Sequence, residues 1–234
     1  IAVLEDAERR PMGLVAANPL SRITARMIER DVSVAIDQSW FERKITRALE
    51  LRTRLFDQPY YLLIHAEADG LPGLVVDRFG DALVVQPNAA WLELLLEPMS
   101  AALQQVTGVS TILKNAAGRT RSLEGLDDEN TVLLGDAPDA PIMVSMNGAS
   151  YAADLTGGQK TGLFYDQRPN HAFAARLSEG ADVLDVFSHV GGFGLAALAG
   201  GVVAGVMAVV AALAAVAGAA LAAGAALAVC ASAR

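Results

Sequence analysis

The stretch Val183-Leu184-Asp185-Val186-Phe187-Ser188-His189-Val190-Gly191-Gly192-Phe193-Gly194 decides the fold of this chain. It is an apolar run, broken by one acid, that opens into a glycine-rich turn. A buried parallel strand is written as a near-continuous apolar run. Glycines directly after it let backbone N–H groups approach a ligand where a Cβ would collide. The stretch therefore reads as strand, phosphate-loop-like turn and helix, with room for a small nucleoside-like cofactor. Its spacing, Asp-x-Phe-x-x-x-Gly-Gly, lacks both the Gly-x-Gly-x-x-Gly of a dinucleotide site and the Gly-Lys-Ser/Thr of a nucleoside triphosphatase. A loop for S-adenosyl-L-methionine fits it better.

Just upstream, residues 155–170 read Leu-Thr-Gly-Gly-Gln-Lys-Thr-Gly-Leu-Phe-Tyr-Asp-Gln-Arg-Pro-Asn. Gly157, Gly158 and Gly162 permit close backbone approach, Lys160 and Arg168 can neutralise a carboxylate, and Gln159 and Thr161 can read polar atoms. A glycine-rich connector with solvated charges is the competing reading of the same residues. Pro169-Asn170-His171 starts a helix that runs to Leu177 and delivers the chain to the strand at Val183.

Further upstream the period changes twice. Asp37-Gln38-Ser39 caps a helix over Trp40 to Phe56, in which Phe41, Ile45, Leu49 and Leu55 recur near helical spacing with Arg43, Lys44, Arg47, Arg52 and Arg54 between them. That basic face is either solvated or in contact with RNA. Tyr60 to Ile64, Gly73 to Asp77 and Ala82 to Gln86 are short β-branched runs joined by turn chemistry, a small antiparallel sheet. Trp91 to Val106 reads as a second helix, and Thr111 to Lys114 and Asn130 to Leu134 as strands. Met143 to Met146 and Ser150 to Asp154 pair around Asn147-Gly148. The expected architecture is α/β and α+β: a central α+β domain followed by a partial Rossmann-like domain.

Size and charge narrow the classes. A chain of 234 residues buries at least one sizeable core, and we read two domains. A net charge of -8 excludes a wholly basic nucleic-acid surface but not a local basic groove. The single cysteine, Cys230, excludes an intrachain disulfide and suits a reducing cytoplasm. His65, His171 and His189 have no metal-ligand spacing, so no metal is expected. Acidic and basic residues interrupt the first ten positions, which is no signal peptide, and the missing initiator Met fits a fragment boundary.

Taken with Glu67-Ala68-Asp69-Gly70-Leu71-Pro72-Gly73-Leu74-Val75-Val76-Asp77-Arg78-Phe79-Gly80-Asp81, the two glycine-bearing stretches resemble the PUA-linked class I methyltransferases that make 5-methylcytosine in large-subunit ribosomal RNA. The similarity runs from about Gly13 to Gly200. It implies residues 1–36 as the remnant of a PUA-like domain and linker, 37–154 as the central domain and 155–234 as the cofactor-binding domain. It implies S-adenosyl-L-methionine as methyl donor, ribosomal RNA as partner, a cysteine nucleophile and a homodimer. Gln159, Lys160, Thr161, Gly162, Phe164, Asp166 and Arg168 match the family segment that packs over the cofactor. Asp185, Phe187, Ser188, His189, Gly191 and Gly192 match its first cofactor strand and loop, with His189 where the family commonly carries an aromatic residue.

Two features depart from that pattern. A second strand of this fold should end in a carboxylate for the ribose hydroxyls, yet Val206-Met207-Ala208-Val209-Val210 ends in valine and no Asp or Glu follows. Losing a charged acceptor costs about 1.5 to 3 kcal/mol per hydrogen bond, so cofactor binding is expected to be weak. The only thiol, Cys230, sits in Ala-Val-Cys-Ala without an acid nearby, as inert buried cysteines do. The expectation is thus an incomplete, inactive piece of the methyltransferase, with no catalytic residue assigned. From Val186 to Ala233 there is no Asp, Glu, Lys or Arg. This tail reads as the next strand and helix (202–210 and 211–228), as a membrane span, or as a departure from the natural frame after about Gly200. The alternatives to an enzyme are an RNA-binding assembly module and a membrane-anchored protein.

Overall fold

The computed structural model of the chain describes residues 1–157, 163–186, 188–201 and, as backbone alone, 206–209. Contacts divide it into two units, Ile1–Ala140 with Leu155–Gly162, and Pro141–Asp154 with Leu163–Arg234. The Asn147-Gly148 hairpin therefore groups with the second unit.

The first unit opens with an antiparallel three-stranded sheet, β1 (Ala2–Glu5), β2 (Pro11–Ala17) and β3 (Ala25–Glu29). Helix α1 (Gln38–Leu55) starts where Asp37 accepts a hydrogen bond from the Trp40 N–H at 2.9 Å. It buries Trp40, Phe41, Ile45 and Ala48 as one stripe. Its basic face is divided. Lys44 pairs with Glu29 at 3.2 Å and Arg52 forks onto Asp69 at 2.8 and 2.7 Å, while Arg43, Arg47 and Arg54 are exposed. The Trp40 indole N–H donates to Glu29, burial opposes ionisation, and the Arg30 N–H and Lys44 donate as well. Together they hold the Glu29 carboxyl at about 2.

The central sheet holds β4 (Tyr60–His65), β5 (Leu74–Phe79), β6 (Ala82–Pro87), β7 (Thr111–Lys114) and β8 (Thr131–Leu134) in that order. The three runs read as an antiparallel sheet, β4, β5 and β6, do pair antiparallel, and β7 then adds to β6 in parallel. The helical crossover between them returns the chain to the starting end, as a parallel pair requires. That crossover is two helices, α2 (Ala90–Glu93) and α3 (Leu96–Thr107), where the spacing predicts one. The break has a cause in Pro98, which lacks an N–H and fits only a first helical turn. A short helix α4 (Arg119–Leu123), which no periodicity announced, follows β7. Phe41 and Trp91 stack at 6.0 Å between ring centroids in the core.

Glu124, directly after α4, joins these parts. It is buried and accepts from Asn18, Ser21 and Arg26 on the β2–β3 connection and strand, and from the Ala90 N–H. Burial works against its charge, and the donors outweigh burial, so its carboxyl lies below the ordinary 4.5. That share of the stability is complete above about pH 4.5 and is lost as the pH falls through the lowered value. Glu124→Ala, which strands Asn18 and Arg26, is expected to cost about 2–4 kcal/mol. Urea denaturation at pH 7 measures this; Glu124→Gln should lose less.

In the second unit, β9 (Ile142–Met146) and β10 (Ala149–Ala153) form a hairpin. Asn147 and Gly148 both have positive φ, +53° and +75°, as a type I′ turn demands. A 3-10 turn at Tyr165–Gln167 leads into α5 (Arg168–Leu177), then β11 (Val183–Val186), α6 (Gly192–Ala199) and β12 (Val206–Val209). β11 and β12 pair in parallel, Val183 opposite Val206 and Asp185 opposite Ala208. This strand, helix, strand order is the Rossmann-like element expected from the 183–194 stretch. The expected strand over 202–210 is described at Val206–Val209; Val210, the helix read at 211–228 and Cys230 lie outside the described residues. Among the described residues no helix is long and apolar enough to cross a membrane.

Candidate functional site

The turn between β11 and α6 is built by three local constraints. Asp185, 7% exposed near the end of the strand, accepts from the N–H of Gly194 at 2.9 Å. The Ser188 carbonyl accepts from the Gly191 N–H at 2.6 Å. His189 and Gly191 take left-handed φ values of +51° and +78°, which turn the chain sharply into the helix. Asp185 thus caps α6 from the preceding strand, on the third residue of the helix. The N–H groups of Gly192 and Phe193 meet no acceptor among the described residues. Two such donors at the positive end of a helix suit a carboxylate or phosphate.

Side chains from three other segments close around this turn. Phe164 lies 5.2 Å from the exposed His189 ring, tilted at 55°. His171 of α5 sets its ring edge-on to Phe193 at 4.5 Å. The Tyr151 hydroxyl of β10 donates to the Gly192 carbonyl at 3.4 Å, and its ring stacks on His171 at 6.4 Å. Burial pushes the Tyr151 phenol up, with Arg168 opposing it, and burial pushes His189 down. A Cβ on Gly192 would lie 2.5 Å from Cε1 of His171, so only glycine fits against that ring.

The sequence-derived site residues distribute unevenly. Asp185, Ser188, His189, Gly191 and Gly192 form the turn, and Phe164 reaches it. Asp166 is exposed in the 3-10 turn, and Arg168 opens α5 with its carbonyl accepting from the Asn147 side-chain amide at 2.8 Å. Gln159, Lys160, Thr161, Gly162 and Phe187 lie outside the described residues, as does Gly158. Sequence reasoning passed over His171 and Tyr151. Helical phase from the Pro169 start was the usable signal, because it puts His171 and Ala175 on one buried face. Gly192→Ala should overpack the His171 ring and cost about 1–3 kcal/mol in a denaturant melt.

A model of the S-adenosylmethionine-dependent methyltransferase family matches residues 87–222, more than half of the chain. Ribosomal RNA large subunit methyltransferase I of Pseudoalteromonas translucida is 35% identical over 201 residues, covering 85% of this chain and 51% of the relative. The protein of that name from Shewanella denitrificans is 38% identical over 199 residues, covering 82% of this chain and 49% of the relative. The chain spans about half the length of these curated relatives. Among solved structures, a candidate methyltransferase of Streptococcus mutans superposes with a TM-score of 0.75 at 20% identity, over 88% of this chain and 53% of that one. A second structure with the same score and identity is a methyltransferase in complex with S-adenosylhomocysteine. At that identity the likeness is one of fold. The chain belongs to the S-adenosylmethionine-dependent methyltransferase family.

Proposed function

We propose that this chain binds S-adenosylmethionine at the turn between β11 and α6 and serves the methylation of large-subunit ribosomal RNA. The observation that carries the reading is the cap from Asp185 to Gly194, which shapes the turn and leaves the Gly192 and Phe193 N–H groups to receive the methionine carboxylate. The sulfonium of the bound cofactor supplies an electrophilic methyl group; the aromatic faces of Phe164 and His189 flank the turn and suit a cation. The RNA substrate is supported by the names of the curated relatives. Carbon 5 of cytosine as target, the PUA-like nature of β1–β3 and a homodimer rest on the family resemblance of the sequence, and a cytoplasmic site on the single cysteine. Methylation at carbon 5 needs a thiolate at carbon 6. The described residues contain no cysteine, so the reading assigns them the cofactor half of the reaction.

Calorimetry with S-adenosylhomocysteine at pH 7.5 tests the cofactor. Saturable heat is expected, weakened about tenfold or more in Asp185→Ala; absence of heat at millimolar ligand overturns the reading. Val210→Asp, which puts a carboxylate next in sequence after β12, should tighten binding by about tenfold. Deleting the encoding gene should remove one 5-methylcytosine from large-subunit RNA, and an unchanged methylation map would contradict the substrate.

A further inference from the structure

His171 is 5% exposed, and its Nδ1 is buried with no hydrogen-bond partner among the described residues. A buried polar atom left unpaired is a cost to the fold, so the imidazole must be there for something other than a hydrogen bond at Nδ1. Its Cε1 to Nε2 edge occupies the space that a side chain on Gly192 would take. Three side chains therefore register the first turn of α6. Asp185 holds the Gly194 N–H, Tyr151 holds the Gly192 carbonyl, and His171 bears on the Gly192 backbone by contact.

We propose that His171 is a positioning residue for the cofactor turn: its neutral ring seats Gly192 so that the N–H groups of Gly192 and Phe193 present to the ligand, and its protonation unseats them. This rests on the cofactor reading above. The surroundings favour the neutral ring. Burial is the largest influence and lowers the imidazole from 6.5; the carboxylates of Asp185 on β11 and Asp166 in the 3-10 turn act the other way. The N-terminus of α6 adds a partial positive charge beside the ring. Tyr151 on β10 is neutral, its phenol pushed up by burial, His189 in the turn carries a second imidazole that burial also lowers, and the other charged groups on the helix of His171 are Arg168 and Arg176. A lowered value means the seated turn is complete above about pH 6.5 and is lost as the pH falls through the lowered value.

The test is calorimetry with S-adenosylhomocysteine from pH 8 to 5.5 on the whole chain and on His171→Phe and His171→Asn. The wild type should weaken by about fivefold or more across that range. His171→Phe keeps a ring without a titrating nitrogen and should give a clearly shallower profile, with only the part due to His189 remaining. His171→Asn no longer fills the slot and should bind more weakly than wild type at pH 7.5, with a profile as shallow as that of His171→Phe. A wild-type slope that both variants retain overturns the proposal, as does a flat wild-type profile. Wild-type chain that binds nothing at pH 7.5 sinks the cofactor reading instead. Melting temperatures of the same proteins then decide the seating: wild type should lose stability between pH 7 and 5.5 relative to His171→Phe, and parallel curves contradict it.

Discussion

The hydrogen bond from the Gly194 N–H to the Asp185 carboxylate is the constraint on which the second unit depends. It fastens the end of a parallel strand to the third residue of the helix that follows, across only nine positions of chain. With that donor taken, the first two N–H groups of α6 meet no acceptor among the described residues, and the left-handed residues His189 and Gly191 turn the backbone into the helix. A helix capped from within its own Ncap would spend those donors on itself. In the proposed site, a cap borrowed from the strand leaves the helix start open to a ligand.

Different physics dominates inside each unit. The first collects charge: Glu29, Asp69 and Glu124 each gather several donors, and their partners Lys44, Arg52 and Arg26 come from elements distant in sequence. Such ionic junctions fix geometry, but they give up much of their Coulombic gain to desolvation. The second unit has no charged side chain between Asp185 and Arg234. Its polarity near the turn comes from backbone N–H groups, from Asp185, from the neutral side chains of Tyr151, Ser188, His171 and His189, and from Asp166 and Arg168, whose charges act on His171 and Tyr151.

Much of this was legible in the sequence, and the exceptions have reasons. Asp37 ahead of an apolar stripe, Asn147-Gly148 between alternating runs and the apolar run at Val183 each name an element by local chemistry, and each element is there. The parallel pairing of β6 with β7 was not legible, because strand direction depends on where a crossover ends and not on the strand's own residues. Pro98 carried the break between α2 and α3, outvoted by a continuous apolar pattern. In the site, the glycines announced a close approach but not what approaches. Gly192 meets His171, a residue twenty-one positions earlier on another helix, and pairing across elements is invisible to spacing within one.

The account stands most directly on the amide signals of the turn. In a nitrogen–proton NMR titration of the isotopically labelled chain with S-adenosylhomocysteine at pH 7.5, the Gly192 and Phe193 amides should move most. Gly194, already committed to Asp185, should shift little. Shifts confined to the first unit, or a Gly194 amide that moves as far as its two neighbours, would contradict the claim that Asp185 shapes this turn to receive the ligand.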